Sequence, residues 1–488
     1  MDKIQRDSVW QYAWLFIGGI LMIFYNGNAV SIAAWLAPLF VLRFTRISRG
    51  RELLFVLPVL AISHALLLYD PFSNAAIPPV FRIIFGMVCG LLIVLPLFVD
   101  RLLTRKVNGF SSTLIFPAAW VSMEYIVSRV SPLSTFGMIG YTQYGNLPLM
   151  QVVSITGIWG LSFLVIWFSS VINWVWEQEF RFELVKKGLA VYVAVNLVII
   201  FYGEFRLNKH HTGKMIRVAA SSSSYDVIGR FREAIKNGTC PPLNVNIRTF
   251  DDFIAKAALS GNRIVFWEEY ALITSEADEE QIIEHARIKA MEKRILLGLP
   301  MGVLKNRGSK HLLENQVVWI SPDGQILTKY RKSFTAPWET SSNLNKEVSI
   351  FQTGFGKVGT VICFDMDFPS LIRQAGKNHV ELMLVPSHDW SGIAPFHSHM
   401  AVFRAVENGF SLVRPAGESG VSISSDPYGR VLSCLDNLYS EDKIMMVDVP
   451  IHNVKTIYST IGDLFAWLTI AGLVMVSFLL LPRHRFIK

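Results

Sequence analysis

Val358-Gly-Thr-Val-Ile-Cys363-Phe-Asp365 places a cysteine at the end of a short β-branched apolar run. Such a run reads as a buried strand, and the carboxyl edge of a strand is where an α/β sheet presents reactive side chains. Two upstream segments have the same form. Arg263-Ile-Val-Phe-Trp267-Glu268-Glu269 ends an apolar run on carboxylates, and Tyr330-Arg331-Lys332 follows the turn Ser321-Pro-Asp-Gly324. A thiol of pKa about 8.5 needs a base to become thiolate, a nearby carboxylate can take its proton, and a cation can stabilise the oxyanion formed on attack. Taken alone, Cys363 reads more simply as a small buried hydrophobe. The carboxylate and the lysine at matching positions turn it into a candidate nucleophile.

From Met215 to about Val449, short β-rich runs alternate with helical stretches. Expected strands are 216–220, 264–267, 295–299, 317–320, 358–362, 382–386, 411–414 and 421–424; expected helices include 249–259, 280–291 and 397–409. This alternation argues for one layered α/β domain, long enough to bury a real core. Strand neighbours point to opposite faces, so only one of Glu268 and Glu269 can face Cys363, and the other reads as a solvated strand end.

The rest of the chain is too apolar for a soluble enzyme. Its 488 residues are 51% hydrophobic and 17% charged, with a mean hydropathy of +0.37, so much of it must lie in lipid. Seven apolar stretches precede residue 205, roughly 11–25, 29–42, 53–69, 80–99, 112–127, 152–176 and 188–203, and an eighth runs from about 463 to 482. Cations fall on every second connection: Lys3 and Arg6, Arg43 to Arg51, Arg101 to Lys106, Arg181 to Lys187, then Arg483 to Lys488. The intervening loops, around Asn26-Gly-Asn28, 70–79 and 128–150, hold almost none. That alternation predicts eight spans with both termini cytoplasmic and residues 204–460 on the extracytoplasmic side. The domains expected are therefore 1–204 (spans one to seven), 205–460 (catalytic) and 461–488 (span eight and tail).

A signal peptide is the rival reading of the first stretch, but no small-residue cleavage site follows it. The net charge of +8 resides mostly in the cytoplasmic loops, and speaks for topology rather than nucleic acid. Cys89, Cys240, Cys363 and Cys434 show no CxxC spacing; a Cys240–Cys434 disulfide stays open. His388, Asp389, His397 and His399 offer four possible metal ligands within twelve residues, yet no Glu stands in HExxH spacing. The expected chemistry uses neither metal nor cofactor.

The carboxylate, lysine and cysteine, in that chain order, resemble the Glu-Lys-Cys triad of the nitrilase superfamily, which implies an αββα sandwich. Trp267-Glu268-Glu269 is similar to a family segment that makes Glu269 the base. Tyr330-Arg-Lys-Ser-Phe-Thr-Ala-Pro337-Trp-Glu339 is similar to Tyr-x-Lys-x-His-Leu-x-Pro-Phe-Gly-Glu, with Lys332 as the catalytic cation, Glu339 as an accessory carboxylate one residue early, and Phe334 in place of the His. Asp365 matches an acidic accessory position. The layout of eight spans with one such domain before the last narrows the resemblance to apolipoprotein N-acyltransferases. Gly140-Tyr-Thr-Gln143, Gly157-Ile-Trp-Gly160-Leu-Ser-Phe163, Arg404-Ala-Val-Glu407-Asn-Gly409 and Gly462-Asp463-Leu-Phe-Ala-Trp467 are similar to segments of that branch, the last having no counterpart in soluble nitrilases.

Three segments depart from it. Ala220-Ser-Ser-Ser-Ser-Tyr225 stands where the family shows Gln-x-Asn, and Ser387-His-Asp-Trp390-Ser where it shows Ser-Asn-Asp-Ala-Trp-Phe. Cys363-Phe-Asp-Met-Asp-Phe-Pro369 is closer to soluble amidases. The resemblance implies acyl transfer from a membrane phospholipid to a diacylglyceryl-lipoprotein acceptor by a monomer in the bacterial inner membrane, with the catalytic domain periplasmic. The alternative is a membrane-tethered amidase acting on a small C–N substrate. An idle scaffold or transporter is disfavoured, because the isolated Glu124 and Arg82 form no paired intramembrane charges.

Overall fold

The computed structural model describes residues 2–25, 30–73, 77–209, 213–222, 227–258, 261–307, 310–335, 346–440 and 443–480. Asn26-Gly-Asn28, Pro337 to Glu339 and Arg483 to Lys488, on which expectations were placed above, lie outside these residues. The chain divides into two compact units, Met1–Arg206 with Ile461–Lys488, and Leu207–Thr460.

The first unit is helical, and each of the apolar stretches read from sequence carries a helix. Five helical segments are long and apolar enough to cross a membrane: Gly50–Tyr69, Pro79–Lys106, Phe110–Val130, Ile158–Glu177 and Phe182–Leu207. Trp10–Ile23 and Leu464–Leu479 are shorter apolar helices, and Ser31–Ile47 is a further helix of 17 residues. Burial sorts them. The apolar window of Ile158–Glu177 is 83% buried and that of Phe182–Leu207 only 11%, so the former is a central helix while the latter shows Val198 and Phe201 outward, as a lipid-facing helix does.

The central helix uses small polar residues for close approach. Ser169 Oγ donates to the Trp35 carbonyl at 3.0 Å and Asn173 Nδ2 to the Leu39 carbonyl at 3.0 Å, contacts of the kind that join helices where water cannot compete. A buried ion pair, Arg46 to Asp100 at 2.8 Å, ties that same helix, Ser31–Ile47, to the helix Val94–Leu103. The Gly462-Asp463-Leu-Phe-Ala-Trp467 segment has a structural meaning here. Asp463 Oδ1 accepts from Trp159 Nε1 at 2.8 Å, Phe465 packs edge-on to Phe163 and Trp467 edge-on to Tyr125. The last helix is thereby keyed to the central ones.

The second unit is a layered α/β domain. Its strands are β1 (Lys214–Ser221), β2 (Ile264–Trp267), β3 (Leu272–Ser275), β4 (Leu296–Arg307), β5 (Lys310–Ile320), β6 (Ile326–Arg331), β7 (Ser349–Thr353) and β8 (Gly356–Thr360). There follow β9 (Leu382–Leu384), β10 (Ser387–Asp389), β11 (Ser411–Arg414), β12 (Ala416–Glu418), β13 (Val421–Ser425), β14 (Val431–Asp436) and β15 (Ile444–Ile451). Seven of them form one sheet in the order β15-β1-β2-β4-β5-β6, with β3 beside β4; six form a second, β14-β13-β11-β9-β8-β7; β10 and β12 pair separately.

Helices Leu243–Ala258 and Glu279–Lys293 bury Phe250, Phe253, Ile254 and Ala286 against Val265, Trp267, Leu297 and Leu299 of the first sheet. Pro369–Lys377 and Phe396–Asn408 pack together, the latter lying on β11 and β13 of the second sheet. Trp319 of β5 and Phe351 of β7, 5.9 Å apart, join the two sheets. The result is the helix–sheet–sheet–helix sandwich expected. The register β1 against β15, from Lys214 opposite Ile451 to Ser221 opposite Ile444, sets the first and last strands of this unit side by side.

Candidate active site

The nucleophile candidate differs locally from the sequence reading. β8 ends at Thr360, and Cys363 begins a 3-10 turn, Cys363–Asp367, rather than closing the strand itself. Its φ of +47° is left-handed, a conformation that costs a side-chain-bearing residue about 1–2 kcal/mol and persists only where surroundings impose it. They do so here. Cys363 N donates to the Pro386 carbonyl at 2.9 Å, and Asp365 accepts hydrogen bonds on both oxygens. Oδ2 takes Ile362 N at 3.1 Å and Tyr330 Oη at 2.7 Å; Oδ1 takes Ser333 N at 3.1 Å and Phe334 N at 2.7 Å. This one carboxylate pins the lysine-bearing segment to the cysteine turn. Phe334 seals the join by stacking on Phe368 with centroids 3.5 Å apart.

Burial pushes the Asp365 carboxyl up to about 7, in spite of those donors and Lys332. Asp365→Asn puts an NH₂ against at least one backbone N–H whichever way the amide is turned, Ile362 on one side or Ser333 and Phe334 on the other. We expect a loss of about 1–3 kcal/mol in stability and at least a tenfold fall in turnover, read by thermal unfolding and by assay of the full chain. Unchanged values of both would remove the role given to this carboxylate.

Glu269 and Lys332 meet directly. Lys332 Nζ lies 2.8 Å from Glu269 Oε1, both side chains being 2% exposed. Asn315, on the long β4–β5 hairpin, serves both: its Nδ2 donates to Glu269 Oε1 at 2.5 Å, and its carbonyl accepts from Lys332 N at 2.9 Å. The charges of Glu269 and Lys332 both act on Cys363. Burial and then Glu269 push its thiol well above the ordinary cysteine range, and Lys332 pulls it back. Glu268 is not the solvated strand end expected. It is fully buried, because β10 and β12 cover that end of the sheet: Glu269 N donates to the Ser387 carbonyl at 3.2 Å, and the Glu268 charge acts on His388.

A second buried group touches the nucleophile. Cys363 Sγ lies 3.8 Å from the His388 carbonyl oxygen and 3.9 Å from Asp389 Oδ1. Arg414 grips Asp389 with two nitrogens, at 2.6 and 3.0 Å. His397 spans two carboxylates, Nδ1 to Asp389 at 2.7 Å and Nε2 to Asp367 at 3.0 Å. With a carboxylate at each nitrogen the ring is assigned as a doubly donating imidazolium. Burial alone would lower its pKa, but Asp367 and Asp389 raise it to about 9. Arg414 Nη2, 2.9 Å from Nδ1, then shares the same Asp389 oxygen rather than bonding to the ring.

Of the four possible metal ligands grouped by sequence, the described residues bring together Asp389 and His397, with Cys363 rather than His388 or His399. The Arg414 guanidinium stands where a cation would stand. Sequence reasoning missed Asn315, Asp367 and Arg414. Only Glu314-Asn315-Gln316, three polar residues interrupting an apolar run, gave a local signal.

Two facing sheets with this helical covering define a carbon-nitrogen hydrolase domain, and the family so described matches residues 238–458. A second family, described as "Apolipoprotein N-acyltransferase N-terminal domain", matches residues 17–171; together they span about three quarters of the chain. An apolipoprotein N-acyltransferase of Geobacter metallireducens is 26% identical over 82% of this chain and 80% of its own. One from Rickettsia typhi is 25% identical over 80% and 82%. Among solved structures, an amidase from Nesterenkonia sp. is similar at 19% identity with a TM-score of 0.41, over 53% of this chain and 97% of that one. The chain belongs to the apolipoprotein N-acyltransferase family, a membrane branch of the carbon-nitrogen hydrolases.

Proposed function

We propose that this protein transfers an acyl chain from a membrane phospholipid to the N-terminal amine of a diacylglyceryl-cysteine lipoprotein, through a thioester on Cys363. The observation that carries this reading is the joining, in one chain, of the family's membrane domain to a carbon-nitrogen hydrolase domain. The same pairing favours transfer over a tethered amidase. Glu269 takes the Cys363 proton as the sulfur attacks the ester carbonyl, and Lys332 stabilises the oxyanion. Collapse expels the lysophospholipid, protonated by Glu269. The acceptor amine then attacks the thioester, its proton passes to Glu269, and the thiol is regenerated. Glu339 is assigned an accessory role and Asp365 a positioning one.

A membrane domain suits this chemistry. Donor and acceptor both keep their chains in the bilayer, and extracting them would cost about 0.8 kcal/mol per CH₂. The reaction is tested with the full chain in phospholipid micelles carrying a labelled acyl group. A hydroxylamine-labile label on Cys363, discharged only by a peptide with an N-terminal diacylglyceryl-cysteine, is the result expected. Ammonia released from a small amide, with no label on the protein, would move the reading to an amidase.

The cation alternation supports eight spans, cytoplasmic termini and a catalytic unit outside the cytoplasm, on the periplasmic side of the bacterial inner membrane, and a monomer is taken as the working unit. A reporter active only outside the cytoplasm should work when fused after Gly213 and stay silent when fused after Lys488. A silent fusion at Gly213 would put Cys363 out of reach of an acceptor exposed on the outer leaflet.

A further inference from the structure

The Asp389 cluster is not used by the chemistry above, yet it touches the sulfur. Its members come from four elements: Asp367 from the cysteine turn, Asp389 from β10, His397 from helix Phe396–Asn408, and Arg414 from β11. All are at most 3% exposed. Two carboxylates against a guanidinium and an imidazolium leave the group balanced overall, but not evenly as seen from Cys363. The nearest of these groups to Sγ for which a contact is made is the Asp389 carboxylate, at 3.9 Å. The other charges facing Cys363 are Glu269, beyond β2, and Lys332, beyond β6.

We propose that Asp389, fixed by Arg414 and by the His397–Asp367 pair, holds Cys363 as a thiol in the resting enzyme and prevents a standing thiolate. This rests on Cys363 being the nucleophile proposed above. A carboxylate this close penalises the negative sulfur of a thiolate, but not a neutral thiol, nor the neutral sulfur of a tetrahedral adduct or thioester. The thiolate then forms only as attack proceeds: the S–H proton goes to Glu269, the S–C bond forms, and the carbonyl π pair moves to oxygen. Asp389 keeps its charge throughout and gains no proton. Because the thiolate is the form that oxidants attack, an enzyme poised in this way resists oxidation between turnovers. Arg414 and His397 orient Asp389 and are positioning residues, and the Arg414 charge also offsets part of the effect of Asp389 on the sulfur.

The test reads charge rather than integrity. The full chain in detergent is alkylated with iodoacetamide across pH, and the Cys363 peptide is quantified by mass spectrometry, separately from Cys89, Cys240 and Cys434. Asp389→Asn should lower the midpoint by about one unit or more, a roughly tenfold faster alkylation below it. His397→Gln removes a cation and should raise the midpoint, whereas Asp389→Glu, which keeps the charge, should leave it near wild type. Loss of packing would shift Asp389→Asn and His397→Gln in the same direction, and that result, or no shift in either, overturns the proposal. Should Asp389→Asn fail to fold, the contrast between His397→Gln and Asp389→Glu still decides. Alkylation requires no acyl donor, so failure here leaves the transfer reading standing, and failure of transfer leaves this test intact.

Discussion

Cys363→Ser abolishes the labelled acyl-enzyme and lowers turnover by roughly a thousandfold or more, while thermal unfolding is unchanged. A serine hydroxyl ionises far less readily than a thiol, and Glu269 is held by Lys332 and Asn315 as a carboxylate base rather than as part of an imidazole relay able to drive a hydroxyl. The fold is spared because the constraints on position 363 are on its backbone. The left-handed φ, the bond from Cys363 N to Pro386 and the four donors on Asp365 all survive the exchange. The measurement is labelled-acyl retention beside a melting curve. A serine variant that still carries hydroxylamine-labile label, on Cys240 or Cys434, would sink the assignment.

The second large effect separates two adjacent carboxylates. Glu269→Gln should cost about 10²–10⁴ in turnover, since it keeps the shape of the side chain and removes the base. Glu268→Gln should cost less than about tenfold by the same yardstick. Both residues are buried, so burial cannot distinguish them. What does is the partner: Glu269 Oε1 receives Lys332 and Asn315, and of the two carboxylates it is Glu269 whose charge acts on Cys363. Equal losses in the two variants would mean that the strand register assigned to the base is wrong.

Much of this was legible in the sequence, and the pattern of what was not has physical causes. Short continuous apolar runs marked β2 and β11 to the residue, and the helices at 279–293 and 396–408 were placed to within two residues. β4 and β5 run on as a twelve- and eleven-residue hairpin, far past the apolar cores that announced them, because a strand continued by Lys305, Asn306 and Glu314 no longer alternates. β6, which delivers Lys332, buries only Tyr330, and its apolar start, Ile326-Leu327, is too short to announce a strand. In the site, residues inside recognisable segments could be read, whereas Asp389, His397 and Arg414 gain their meaning only from contacts across the fold. Arg414 had looked like an unremarkable strand end, and nothing local says that a residue 51 positions after Cys363 will grip the carboxylate beside it. Glu268 was misjudged for the same reason: β10 and β12 bury it, and sequence gave no hint of that pair.

The β1–β15 pairing has a consequence for biosynthesis. Lys214 finds its partner in Ile451, so the ladder closing the first sheet waits on the synthesis of well over two hundred residues. Until then β1 has β2 on one side and an open edge on the other, and non-local pairing of this kind folds slowly and exposes an edge to wrong partners. Ribosomal order therefore makes the emerging chain most vulnerable just before residue 444 appears. A stop codon anywhere between 430 and 443 would leave Glu269, Lys332 and Cys363 all translated, yet the sheet bearing Glu269 unclosed. Loss of the final strand should accordingly be read in the cell as degradation of the chain, rather than as a stable protein with reduced turnover.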